Sequence, residues 1–136
     1  MKIRVCFSFV LLALILPQCE IHKSTDCTNS LCTDEFRSVT IHIKYATNNN
    51  PVILSDYKVI RTLDNQDITR HDSNLNDNNG YYIVVDDSST GLLRNCDNEV
   101  EFQGFIGDQL KVQKRFIIRP DCCHVYLVSG ETEVYI

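Results

Sequence analysis

The chain has 136 residues, 13 Lys and Arg against 18 Asp and Glu, a net charge of −5, seven cysteines and no tryptophan. That length allows one domain at most beside any processed segment. An acidic balance with no basic patch interleaved with aromatics disfavours nucleic acid as a partner, because phosphates would be repelled.

The N-terminus opens with Met1-Lys2-Ile3-Arg4, a short basic flank. An apolar run follows from Val5 to Leu16, broken by Ser8. A bilayer-spanning helix needs about 20 apolar residues, so this shorter run fits a secretory signal peptide over residues 1–18. Leu16-Pro17-Gln18-Cys19 resembles a loose bacterial lipobox, which implies acylation at Cys19 and a membrane contact through an N-terminal lipid anchor. Plain secretion without a lipid is the alternative. Loss of residues 1–18 takes Lys plus Arg from 13 to 11 against 18 acids, a net of −7.

Past the signal stand Cys19, Cys27, Cys32, Cys96, Cys122 and Cys123. Export places them in an oxidising compartment, where disulfides persist. With Cys19 acylated, five thiols leave two bridges and one cysteine over; with Cys19 free, three bridges are possible. Residues 19–31 have no apolar period and read as a tether, followed by a domain over 32–136.

Strand patterning dominates that domain. Val39, Ile41, Ile43 and Tyr45 alternate with Thr40, His42 and Lys44, predicting a strand over about 36–45. Ala46 to Pro51 breaks it, and a second strand is predicted at 57–63. The run 65–80 is polar, and Asp72 to Gly80 within it is a loop rich in Asn and Asp. Strands are then expected at 81–85, as a short strand or turn at 92–96, at 99–103 and at 110–118, with Ile106 to Gln109 as a hairpin turn. Cys122–Ser129 and Thr132–Ile136 are expected to form a last hairpin about Gly130. About seven short strands with frequent turns and no helical period outside the signal predict an all-β, antiparallel-rich β-sandwich.

Three segments together suggest a family. They are Cys32-Thr33-Asp34-Glu35-Phe36-Arg37-Ser38-Val39-Thr40, Glu99-Val100-Glu101-Phe102-Gln103-Gly104-Phe105, and Asp121-Cys122-Cys123-His124 with the strand behind it. This combination resembles small bacterial lipoproteins that carry one immunoglobulin-like or carboxypeptidase-regulatory-like (transthyretin-like) sandwich. The resemblance implies a fold and an address, the outer membrane or cell surface. It brings no catalytic residues.

The chemistry-bearing groups are few. Adjacent cysteines bridge each other poorly, since neighbouring Cα atoms lie about 3.8 Å apart, below the usual disulfide range. On a strand, Cys123 would share the core face with Val125 and Leu127, and Cys122 the other face with His124 and Tyr126. Two faces call for two partners, and Cys27 and Cys32 can supply them, or pair with each other. A zinc set of Cys122 and His124 with Cys96 and Cys27 or Cys32 is an alternative, without the usual Cys-x-x-Cys spacing. The loop 72–80, with Asp86 and Asp87 beyond it, is oxygen-rich enough to suggest calcium, but Asp77 stands where an EF-hand needs Gly and Ile83 where it needs Glu. No nucleophile elbow, zincin motif or phosphate loop occurs. The expectation is therefore a non-catalytic, lipid-anchored envelope module without a cofactor, its protein or glycan partner unknown. A secreted domain binding a metal ion or small ligand is the alternative.

Overall fold

The computed structural model describes residues 27–70, 79–93 and 96–136. Eight strands form two sheets: β1 (Ser38–Lys44), β2 (Asp56–Arg61), β3 (Gln66–Asp67), β4 (Tyr81–Asp86), β5 (Asn98–Ile106), β6 (Gln109–Pro120), β7 (Val125–Ser129) and β8 (Glu133–Tyr135). One sheet has the order β4-β1-β8 and the other β3-β2-β5-β6-β7. The protein is an all-β sandwich.

Alternation in the sequence becomes alternation in burial. Val39, Ile41 and Ile43 of β1 and Val100 and Phe102 of β5 face inward, with Glu99 and Glu101 on the outer side. Ile41, Ile43, Val59, Val84, Val85, Phe102, Phe116 and Ile118 form a fully or almost fully buried centre between the sheets. Polar groups that enter this layer are satisfied. The Tyr82 hydroxyl donates to the Val52 carbonyl at 2.8 Å and accepts from the Leu54 amide at 2.7 Å, so the half-buried start of β4 holds the segment leading to β2. Tyr45, expected on the greasy face, lies beyond the end of β1 and is exposed.

One expectation is corrected. The last two strands do not form a hairpin: β7 pairs antiparallel with β6, whereas β8 pairs parallel with β1, so the turn at Gly130 carries the chain from one sheet to the other. The stretch from Leu92, expected as a short strand or turn, is a turn among its described residues. It begins at the end of a 3₁₀ turn, Asp87–Leu92, which Asp86 caps by accepting from the Ser88 amide. The polar run after residue 65 carries the two-residue strand β3 on the sheet edge.

Gly130 shows how tightly the crossing is built. Its φ is +140°, and a Cβ there would lie 2.4 Å from Cδ1 of the buried Phe116 ring. Gly130→Ala combines a backbone conformation foreign to L residues with overpacking, each a cost of about 1–3 kcal/mol. A urea-unfolding midpoint clearly below wild type is the expected result; an unchanged midpoint would contradict this geometry.

Candidate functional site

The segment Asp121-Cys122-Cys123-His124 is a bend that precedes β7 rather than the start of the strand. Asp121 makes it. Its Oδ1 accepts from the amides of Cys123 and His124, both at 2.7 Å, and its own amide donates to the His124 carbonyl at 2.9 Å. A side chain that accepts from amides two and three residues on fixes a turn locally. Strand alternation therefore does not apply to the cysteines. His124 and Val125 are both buried, the two cysteines are half-buried, and Leu127, expected inside, is exposed.

The bend nevertheless presents the two sulfurs to two different partners. Cys27 is bridged to Cys122 and Cys32 to Cys123, each pair with Cα atoms 5.4 Å apart. The stretch read as a tether is thus part of the domain from Cys27 onward, where a short 3₁₀ turn, Cys27–Asn29, begins it. Cys96 is a disulfide cysteine as well. Cys19 lies outside the described residues.

Beside the bridges sits a polar hub that the sequence did not announce. Asp87 accepts from the Arg37 amide through Oδ2 at 2.7 Å and from the Val125 amide through Oδ1 at 2.8 Å. Its Oδ2 also lies 2.8 Å from His124 Nδ1, and both side chains are about nine-tenths buried. The neighbouring carboxylate favours the proton on Nδ1. Nε2 shares a hydrogen bond with the Thr33 hydroxyl, 3.1 Å away. One carboxylate thereby joins the approach to β1, the turn after β4 and the first residue of β7. Burial alone would raise the Asp87 carboxyl, but the hydrogen bond and charge of His124 and the two backbone amides outweigh it and hold it below the ordinary aspartate range. Asp121 is lowered in the same way: burial is again opposed, here by the Cys123 and His124 amides and the Tyr126 hydroxyl.

Thr33, His124 and Asp87 have the connectivity of a hydroxyl–imidazole–carboxylate relay. Acyl transfer also needs donors aimed at a developing oxyanion. The Arg37 and Val125 amides beside this relay are both turned onto Asp87 instead. What the arrangement does chemically is satisfy a buried carboxylate and a buried imidazole while joining three segments.

The metal alternatives lose their ligands. Cys27, Cys32, Cys122 and Cys123 are spent in bridges and His124 is committed to Asp87, so the zinc set is dismantled. The carboxylate Oδ1 of Asp86 is taken by Ser88, with Arg70 Nε 3.8 Å away, and Asp87 is engaged as described. Residues 72–78 of the proposed calcium loop lie outside the described residues. Among the described residues, no group of three or more His, Cys, Asp or Glu is placed to hold a metal.

A groove of about 620 Å³ runs alongside the hub between the two sheets, lined by Phe36, Arg37, Thr40, Tyr126, Leu127 and Thr132 among others. It exists because β8 covers only His42 to Lys44 of β1, leaving Ser38 to Ile41 without a strand on that side. Its other wall is β7, the edge of the five-stranded sheet. The Arg37 guanidinium lies 5.0 Å from the centre of the Tyr126 ring, at the distance of a cation–π contact. Set against protein families, curated proteins and solved structures, the chain finds no match in any of the three.

Proposed function

We propose that this protein is an exported, lipid-anchored, non-catalytic β-sandwich module of a bacterial cell envelope, with an interaction or structural role. The observation that supports it best is the double bridge from Cys27 and Cys32 to Cys122 and Cys123. Two disulfides that close nearly the whole domain are compatible with an extracytoplasmic protein, because reducing compartments do not sustain them. The basic flank, the apolar run of residues 5–16 and Cys19 behind it supply the route and the anchor. Family resemblance in Asp121-Cys122-Cys123-His124 points the same way. Among the described residues no helix is long and apolar enough to cross a membrane, so membrane attachment through them would need another device.

A second reading, secretion without a lipid, is favoured by one observation. Cys96 stands in a disulfide, and the cysteines left over by the two bridges are Cys6, in the proposed signal, and Cys19 at its end. A sulfur bonded to Cys96 has no valence for a lipid thioether. Intact mass of the protein purified from membranes, alkylated without reductant, separates the two. The anchored form starts at Cys19 and carries the added mass of a diacylglycerol. A chain of residues 19–136 lacking two hydrogens for each of three bridges, and unlipidated, would overturn the anchor.

A further inference from the structure

We infer that the surface around Phe36 and Leu127 docks onto the lipid bilayer itself; this rests on the proposed anchor at Cys19 and specifies how the domain lies beneath it. Several large apolar side chains are exposed here. Leu31 is 99% exposed, Phe36 67%, Val128 46%, and Tyr126 and Leu127 38% each. Phe36, Tyr126 and Leu127 line one groove, and Leu31 precedes the Cys32 bridge to Cys123, so they share one side of the molecule. Contiguous exposed apolar surface marks an interaction site, whereas scattered single residues do not.

The chain outside the structure identifies the occupant. Cys27 is bonded to Cys122, three residues before β7, so the described part of the chain begins beside this patch. Only Glu20 to Asp26 lie between there and the proposed acylated residue. Such a segment spans at most about 28 Å when fully extended. A domain of this size has a diameter on the order of 30 Å, from a radius of gyration of about 13 Å. The patch is therefore kept within a domain's width of the bilayer, which raises its effective concentration at the surface. Its chemistry suits the interface. Tyr126 presents its ring while its hydroxyl donates to Asp121, Arg37 stands over that ring with its guanidinium paired to Glu35, and Phe36, Leu31 and Leu127 offer apolar bulk. The outer face of β5 and β6 is its opposite, occupied by Arg115 with Glu99 and Glu101. The acidic net charge favours a zwitterionic surface over an anionic one.

The test places the full protein, as processed by the cell, in phosphatidylethanolamine nanodiscs with and without a headgroup-nitroxide lipid and follows Leu, Val and Ile methyl signals. Leu31, Leu127 and Val128 are expected to lose intensity several-fold more than Leu110, which is exposed at the far end of β6. Phe36→Ser combined with Leu127→Ser is expected to flatten that contrast. Acylated mass with uniform broadening would overturn the docking and leave the anchor intact. The same local broadening on an unacylated chain would support the docking and remove the anchor. Concentration-dependent shifts of these methyls in lipid-free solution would overturn the lipid assignment in favour of a second copy of the chain.

Discussion

Replacing either disulfide alone by a pair of serines is expected to cost about 2 kcal/mol, and replacing both about 7 kcal/mol. The asymmetry follows from topology. The bridges have sequence separations of 95 and 91, and either one by itself closes almost the entire domain, a loop-entropy contribution of about 4–5 kcal/mol. Once one stands, the other closes only a small ring through Cys27 to Cys32 and the Cys122–Cys123 peptide bond, for which the same relation gives about 2 kcal/mol. Domains of this size are stable by about 5–15 kcal/mol, so a single loss is tolerated and a double loss leaves little folded protein. Urea unfolding of C27S/C122S, C32S/C123S and the quadruple variant measures the cycle. Additive losses of 4–5 kcal/mol each would show that the bridges constrain independent loops.

Asp87→Ala is expected to destabilise by about 3–5 kcal/mol, the range for breaking a buried ion pair from one side. It strands the Arg37 and Val125 amides and leaves buried His124 without its carboxylate. Asp87→Asn retains an acceptor and should lose roughly half as much, whereas Thr33→Val, at an exposed residue, should cost under about 1 kcal/mol. The pH dependence has a definite sign. The folded-state pKa of Asp87 is lowered, so the unfolded chain binds its proton first as pH falls. The stabilisation is complete above the unfolded value near 4 and is lost as pH drops through the lower folded value. Asp121 contributes in the same direction. Stability against pH should therefore fall below about pH 4 in the wild type and less steeply in Asp87→Asn. Equal slopes in the two proteins would exclude Asp87 as a source of the acid sensitivity.

Much of the sandwich was legible because it is local. Val39, Ile41 and Ile43 in β1, and Val100 and Phe102 in β5, write their burial directly as a period of two. The β5–β6 turn followed from Gly107, whose φ is +57°. The short spacing of adjacent cysteines made their own bridge geometrically poor, which pointed to partners upstream. What failed was the assumption that the cysteines sit on a strand. Asp121, a residue prone to capping turns, was the available signal for a bend. Asp87 carried no comparable signal. Its partners Arg37 and Val125 lie 50 and 38 residues away, and only the packing of the sheets brings them together. The three-residue β8 was legible as a strand, but its parallel pairing with β1 spans about 90 residues and has no local signature.

Asp121-Cys122-Cys123-His124 is, in this account, a structural anchor for the start of the domain and a shield for a buried carboxylate. Non-reducing alkylation followed by peptide mapping with fragmentation across the Cys122–Cys123 bond tests that most directly. The predicted result is no alkylation at Cys27, Cys32, Cys122 or Cys123 and linkage of Cys27 to Cys122 and Cys32 to Cys123. A Cys27–Cys32 ring with alkylated Cys122 and Cys123 would contradict it and leave the thiol pair open to metal chemistry.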